Sequence, residues 1–153
     1  MKVYFIRHGQ TTCNAAGWHQ GWGPIGLTEK GFAQARETKR LISDIHFDKI
    51  YSSDLLRTRQ TAEVIFTDEF RAGRIHFDAD LREIDTGGFY KKAFSDLYPI
   101  YGEEYKRRRR DMDYGIYGGD SSRAIRTRVE NFLCRIEADA DLDRVAVVAH
   151  GGV

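Results

Sequence analysis

The chain has 153 residues, of which 31% are charged and 41% are hydrophobic, and its formal net charge at pH 7 is +1. This length suits a single domain with one buried core. The near-neutral charge argues against a strongly basic nucleic-acid binder, and no apolar run approaches the ~20 residues of a membrane-spanning helix. The two cysteines, Cys13 and Cys134, have neither a disulfide framework nor metal-ligand spacing, and the first residues lack a secretory-signal pattern. We therefore expect a reduced cytoplasmic protein that binds neither nucleic acid nor membrane.

The first predicted element is a strand over about residues 2–6, where four apolar or aromatic residues follow one another. Such a run is typical of a strand that is buried on both faces. It ends at Arg7 and His8. Open α/β sheets bind their ligands at the carboxyl ends of strands, so a cation and an imidazole at this position indicate a site.

Strands and helices then alternate along the chain. Glycines and prolines predict a loop over residues 17–26, in which Trp18 and Trp22 are expected to be packed. Helical spacing of apolar residues predicts helices over about 28–43, 54–66 and 121–136. Apolar runs predict further strands over 48–53, 75–77 and 144–149. Because such alternation is typical of a parallel sheet, we expect a three-layer α/β/α fold with a mostly parallel central sheet.

Residues 85–119 interrupt this alternation. We interpret them as an insertion over the site edge of the sheet, within a single domain of residues 1–153. Two helical stretches are expected in it, a short one near Phe94 and a charged one from Gly102 to Met112. The basic run from Lys106 to Arg110 is interpreted as a solvated face, and the alternative is that it attracts an anionic substrate to the site.

The chemistry-bearing side chains follow the predicted strands. Arg7 and His8 end the first strand, and His150 ends the last. Arg57 lies in the first turn of the helix after the second strand, and Glu83 follows the third. The carboxyl ends of parallel strands share one edge, so these side chains can meet there. Guanidinium forks match phosphate oxygens, a neutral imidazole is a nucleophile, and a carboxylic acid can protonate a leaving alkoxide. The set supports phosphoryl transfer without a metal or another cofactor.

Five short stretches, in this order along the chain, resemble the motifs of one family: Arg7-His8-Gly9-Gln10-Thr11 with Asn14 downstream, Leu27-Thr28-Glu29-Lys30-Gly31, Ser52-Ser53-Asp54-Leu55-Leu56-Arg57-Thr58-Arg59-Gln60-Thr61-Ala62, Leu81-Arg82-Glu83-Ile84, and Val147-Val148-Ala149-His150-Gly151-Gly152. The family is the histidine phosphatase superfamily, the phosphoglycerate mutase-like group. The resemblance spans nearly the whole chain and implies that family's fold.

The resemblance also implies a role for each candidate residue. His8 would be the nucleophile that becomes phosphohistidine. Glu83 would donate a proton to the leaving group and then act as the base for water. The residues that would bind the substrate phosphate are Arg7, Asn14, Arg57 and His150. Asn14 can also be explained as a cap of a local turn.

Two features depart from the family pattern. Family members usually follow the 81–84 motif with a glycine and then Trp-Glu-Gly, whereas this chain has Phe89-Tyr90-Lys91-Lys92, with lysines at the acidic position. This difference concerns the subfamily and the substrate rather than the phosphoryl step. The chain also stops at Val153, whereas family members continue with another helix and strand, so we expect a truncated chain.

The predicted function is that of a phosphatase acting on a small phosphorylated metabolite without a cofactor. The first alternative is a mutase that returns the phosphoryl group to the same substrate. The second is a non-catalytic module that binds a phosphorylated ligand, although a binder would not need both His8 and Glu83. Substrates known in the family include sugar phosphates, phosphoglycerates and a nucleotide-loop phosphate of cobalamin synthesis. The sequence leaves the choice of substrate and the oligomeric state open.

Overall fold

A computed structural model describes all residues from Met1 to Val153. The strands are β1 (Lys2–Arg7), β2 (Lys49–Ser52), β3 (Ile75–Phe77) and β4 (Arg144–Ala149). The helices are α1 (Thr12–Ala16), α2 (Glu29–Leu41), α3 (Leu56–Ile65), α4 (Thr67–Arg71), α5 (Phe94–Asp111) and α6 (Ser122–Glu137). Every predicted strand and helix is present, while the short helices α1 and α4 were not predicted. None of the helices combines the length and the apolar character that crossing a membrane requires.

The four strands form one parallel sheet in the order β1-β4-β2-β3. The side chains of β4 alternate between the two faces of this sheet. Ala146 and Val148 pack in a buried cluster with residues of α2 and α3, whereas Val145 and Val147 pack with residues of α6. Helices therefore cover both faces, which confirms the three-layer α/β/α fold.

The first strand is less buried than its sequence predicts. β1 lies at the edge of the sheet and pairs only with β4. Phe5 is 52% exposed, and no residue of β1 is fully buried. The expectation that β1 is buried on both faces is therefore wrong. An apolar run identifies a strand, but its place in the sheet depends on which other strands pair with it.

The helix predicted over about 54–66 begins slightly later, at Leu56. Its capping position is Leu55, which provides no side-chain hydrogen bond. The Asp54 carboxylate is bound by Arg82, whose Nε donates to Oδ1 at 2.7 Å. The polar side chains of this junction thus connect α3 to neighbouring segments.

Residues 85–119 add no strand to the sheet and pack on the loops that follow β1 and β3. Helix α5 is interrupted at Gly102, whose φ of 57° and ψ of −138° are not helical, so the two expected helical stretches are both present. One buried cluster contains Ile84, Phe89, Leu97, Tyr105, Tyr114 and Ile125. An antiparallel bridge between Trp18 and Ala93 joins this segment to the loop after α1.

The loop that carries His8 lies directly against the start of α2 at two glycines. A Cβ atom on Gly31 would be 2.1 Å from the carbonyl oxygen of Gln10, and one on Gly9 would be 2.3 Å from that of Gly31. The amide of Thr28 donates to the same Gln10 oxygen at 2.9 Å. Only glycine permits this approach, which fixes the loop after β1 to α2.

The substitution Gly31→Ala is predicted to destabilise the fold. Alanine is about 1 kcal/mol better than glycine in a helix, but its methyl group would overlap the Gln10 oxygen, and overpacking costs about 1–3 kcal/mol. We expect a lower urea midpoint. Gly115→Ala is the matched control, because its Cβ would meet no atom closer than 3.5 Å. An unchanged or higher midpoint for Gly31→Ala would contradict the prediction.

Candidate active site

His8 is buried at the end of β1, with only 6% of its surface exposed. Its Nδ1 lies 2.7 Å from the carbonyl oxygen of Gly9. A carbonyl oxygen can only accept, so Nδ1 carries the proton in this contact and Nε2 keeps its lone pair. No protein group occupies Nε2, which leaves it free to act as a base or a nucleophile.

The surroundings of His8 keep the imidazole neutral. Burial is the largest cause that lowers its pKa, to about 4, and the positive charges of Arg57 and Arg7 act in the same direction. The hydrogen bond to Gly9 opposes this shift. Burial and nearby cations both disfavour the imidazolium form, so the lone pair on Nε2 is available at neutral pH.

Arg57 and His150 form a buried pair between α3 and the end of β4. Nε of Arg57 donates to Nδ1 of His150 at 3.2 Å, and the terminal Nη2 donates to the carbonyl oxygen of Gly21 at 3.0 Å. Burial lowers the pKa of Arg57 to about 10, so the guanidinium remains charged at neutral pH. No carboxylate pairs with it.

The protonation of His150 follows from this contact. A guanidinium only donates, so Nδ1 of His150 accepts and Nε2 carries the proton, 2.9 Å from the hydroxyl oxygen of Ser53. Burial, followed by the charge of Arg57, lowers the pKa of His150. Its ring lies edge-on to that of His8, with 5.2 Å between the ring centroids.

Arg7 differs from Arg57 in that its donors are free. The residue is exposed, and its guanidinium makes no hydrogen bond or ion pair with the rest of the chain. It lies beside Gly151, where a Cβ atom would be 3.5 Å from Cζ. Arg7 is therefore the cation of the site that can bind an incoming anion without breaking an existing contact.

Glu83 reaches the same edge from the loop after β3. Its Oε1 accepts from the amide of Ile84 at 3.0 Å and from the amide of Gly152 at 3.1 Å. A Cβ atom on Gly152 would lie 2.4 Å from this oxygen, so glycine makes the approach possible. The acid motif thereby contacts the residues that follow His150.

The predicted residues surround two adjacent clefts. Glu83 lines one of about 210 Å³, and His8 lines the other, of about 580 Å³. Arg7 and Asn14 line both, so a molecule bound there can reach all four. Arg57 and His150 lie behind His8 in the buried layer.

Asn14 occupies a capping position of α1. Its Oδ1 accepts from the amide of Thr11 at 3.0 Å, while the Thr11 hydroxyl accepts from the amide of Asn14. This confirms the interpretation of Asn14 as a local cap. Its side-chain amide nitrogen makes no hydrogen bond, and Asn14 lines both clefts, so the phosphate contact stays a prediction.

The tryptophans of the loop after α1 are less packed than expected, being 41% exposed at Trp18 and 39% at Trp22. Nε1 of Trp22 donates to the main-chain oxygen of Glu83 at 2.7 Å. Trp22 and Ser53 are contacts of the site that sequence reasoning did not assign. Ser53 stands inside the 52–62 motif, which was the available signal, whereas nothing in the sequence pairs Trp22 with Glu83.

The basic run of α5 is largely neutralised by neighbouring carboxylates. Ion pairs of 3.2 Å or less join Lys106 to Glu103, Arg107 to Glu104, Arg108 to Glu104 and Asp113, and Arg110 to Asp111. Arg109 instead stacks over the Phe94 ring, with its Cζ 4.0 Å from the centroid. This pairing favours a solvated face over a strongly attractive positive field.

A parallel sheet whose strand ends bring two arginines, two neutral imidazoles and a carboxylate together is the arrangement of a protein that handles phosphoryl groups. The model of the histidine phosphatase superfamily (branch 1) matches residues 3–153. The chain belongs to this family, which confirms the resemblance noted in its motifs.

Two relatives and one solved structure illustrate the similarity. The adenosylcobalamin/α-ribazole phosphatase of Salmonella typhimurium is 32% identical, over 100% of this chain and 75% of that protein. A probable phosphoglycerate mutase of Salmonella paratyphi A is 34% identical, over 99% of this chain and 70% of that protein. The crystal structure of the α-ribazole phosphatase from Shigella flexneri matches with a TM-score of 0.85 and 30% identity, covering 98% of this chain and 74% of that one. The chain thus spans about three quarters of the length of these proteins.

The free energy of unfolding is predicted to decrease as the pH falls from about 6.5 to about 4. The pKa of His8 is lowered from 6.5 to about 4 by folding, so in this window the unfolded state binds more protons and acid favours unfolding. This contribution is fully present above pH 6.5. His8→Gln should reduce the slope of stability against pH by up to about 1.4 kcal/mol per pH unit, measured by urea unfolding at several pH values. Identical slopes in both proteins would contradict the prediction.

Proposed function

We propose that this chain is a phosphatase that hydrolyses a small phosphorylated metabolite through a phosphohistidine intermediate on His8. The observation that carries the proposal is the state of the His8 ring, which is neutral, fixed by Gly9 through Nδ1 and unoccupied at Nε2. The free guanidinium of Arg7 beside it supplies the first anion ligand. The phosphatases among the relatives support hydrolysis as the reaction.

In the first half-reaction, Nε2 of His8 attacks phosphorus in line with the ester oxygen. The N–P bond forms as the P–O bond breaks, and the departing oxygen takes a proton from Glu83. The charges of Arg7 and Arg57 stabilise the non-bridging oxygens. In the second half-reaction, Glu83 accepts a proton from water, which attacks the phosphohistidine and releases inorganic phosphate and neutral His8.

Arg57 and His150 can contribute without direct contact. Their polar atoms already bind each other, Gly21 and Ser53, so touching phosphate would require the exchange of one of these bonds. The charge of Arg57, which no carboxylate contacts directly, acts over a short distance in this buried layer. We therefore assign direct phosphate binding first to Arg7, with Asn14 at the rim, and electrostatic stabilisation to Arg57, which His150 helps to hold through the hydrogen bond to its Nδ1.

The similarity to an α-ribazole phosphatase makes α-ribazole phosphate the first candidate substrate, and the similarity to a probable phosphoglycerate mutase makes phosphoglycerate the second. The mutase alternative is separated by its product, since a mutase returns an isomer of the substrate and a phosphatase releases inorganic phosphate.

Both cysteines are free, which supports a reducing, cytoplasmic location. Residues 85–119 are proposed to form an insertion over the site in a single domain of residues 1–153.

His8→Ala is predicted to abolish turnover, because no other group offers an unoccupied imidazole nitrogen beside Arg7. Turnover is measured with p-nitrophenyl phosphate in EDTA. Formation of the phosphohistidine is measured as covalent labelling by ³²P-substrate, which should also be lost. His76→Ala serves as the control, since His76 lies on β3 away from the clefts. A His8→Ala protein that still becomes labelled would remove His8 from the nucleophile role. Wild-type protein without turnover would favour a phospho-ligand-binding module.

Glu83→Gln is predicted to slow the turnover of substrates with poor leaving groups far more than the turnover of substrates with good ones. The acid contributes to expulsion of an alkoxide by about 10²–10⁴-fold, whereas p-nitrophenolate leaves without protonation. The measurement compares kcat for benzyl phosphate with kcat for p-nitrophenyl phosphate. Equal losses on both substrates would show that Glu83 is not the acid.

A further inference from the structure

We propose that Arg128 of α6 is a positioning residue for Glu83 and that Trp22 assists it, both acting through the main chain of the loop after β3. The inference rests on the proposed function, in which Glu83 is the acid, and assigns what keeps that acid in place. Neither residue touches the clefts around His8.

Arg128 binds the loop on the amino-terminal side of Glu83 and at Glu83 itself. One terminal nitrogen, Nη1, donates to the main-chain oxygens of Asp80 at 3.2 Å and Arg82 at 2.8 Å. The other, Nη2, donates to the main-chain oxygen of Glu83 at 3.4 Å. A single guanidinium thus fixes three carbonyl groups within four residues.

The same guanidinium is connected to the loop on the carboxyl-terminal side. Nη2 of Arg128 forms an ion pair of 2.7 Å with Asp120, and both side chains are only 17% exposed. The same carboxylate oxygen, Oδ2 of Asp120, accepts from the amide of Asp85 at 3.0 Å, and the amide of Asp120 donates to the Asp85 oxygen at 2.9 Å. The main chain is therefore held on both sides of Glu83.

Trp22 contacts Glu83 from a different part of the chain, the loop after α1. Its indole nitrogen donates to the Glu83 oxygen at 2.7 Å, which is shorter than the bond from Arg128. The indole ring lies under the guanidinium of Arg82, 4.8 Å from its Cζ, and Arg82 in turn binds Asp54. The acid residue is consequently linked to the loops after β1 and β2 as well as to α6.

These contacts matter because the carboxylate of Glu83 has no side-chain partner. Its hydrogen bonds come from the amides of Ile84 and Gly152, so its position depends on the main chain. A general acid must lie within hydrogen-bond reach of the leaving oxygen. Fixing the carbonyl groups of residues 80–83 fixes the origin of the Glu83 side chain.

The test compares four proteins: wild type, Arg128→Met, Trp22→Phe and Arg135→Ala. Arg135 is the matched control, because it lies on the same helix and pairs with the side chains of Asp78 and Asp80 but contacts no main-chain atom near Glu83. Trp22→Phe keeps an aromatic ring for Arg82 and Arg128 and removes the indole N–H together with the fused five-membered ring. The readout is the ratio of kcat for benzyl phosphate to kcat for p-nitrophenyl phosphate.

We expect the ratio to fall about tenfold in Arg128→Met and severalfold in Trp22→Phe. These losses are smaller than the acid's full contribution of about 10²–10⁴-fold, because the variants displace Glu83 and do not remove it. Arg135→Ala should leave the ratio unchanged. In a Glu83→Gln background, neither substitution should lower the ratio further, because the group on which they act is already absent. Arg128→Lys, which keeps the charge and part of the hydrogen bonding, should recover part of the loss.

An unchanged ratio in folded Arg128→Met or in Trp22→Phe, or a further fall in the Glu83→Gln background, would overturn the proposal. If Arg128→Met fails to fold, Trp22→Phe decides the outcome. A wild-type protein that turns over neither substrate would refute the proposed function instead. Hydrogen exchange of amides 82–86 then still tests the holding of the loop: faster exchange in Trp22→Phe than in Arg135→Ala supports it, and equal exchange contradicts it.

Discussion

The buried guanidinium of Arg57, which has no carboxylate partner, is the constraint on which the site depends. A buried charge is costly unless its hydrogen bonds are satisfied, and the chain supplies neutral acceptors at His150, Gly21 and Gly23. No carboxylate contacts the guanidinium directly, and the more distant charge of Glu83 compensates it only in part, since burial still lowers the pKa of Arg57. The charge of Arg57 contributes to the lowered pKa of both His8 and His150, so one cation helps to keep two imidazoles neutral and leaves the clefts complementary to an anion.

The fold was predictable where a residue's neighbours follow from local pattern. The run Val145–Ala149 in β4 is typical of a buried strand because it consists of valines and alanines with no polar interruption. The burial of the similar run at β1 was predicted wrongly, because the position of a strand at the edge or in the centre of a sheet depends on which strands pair with it. Helix α1 was not predicted. It has only five residues, and the Thr11–Asn14 capping box at its start can be recognised only from the hydrogen bonds in the structure.

The candidate site was predictable in its residue types but not in its contacts. Arg7 and His8 stand at the end of β1 and Glu83 in the loop after β3, and topology brings such positions to one edge of the sheet. The sequence does not show that His150 donates towards Ser53 or that Arg128 binds carbonyl oxygens. Main-chain acceptors are identical at every residue, so a contact to them carries no sequence signal.

The sheet order has a consequence for how the protein is made. β1 and β2 are not neighbours, because β4 lies between them and pairs with both. The sheet cannot close during synthesis until β4 has left the ribosome, since almost the whole chain separates it from β1. Pairings so distant along the chain form slowly. Until then, the apolar residues of β1 and β2 lack the strand that lies between them, and unpaired strands of this kind are prone to aggregation.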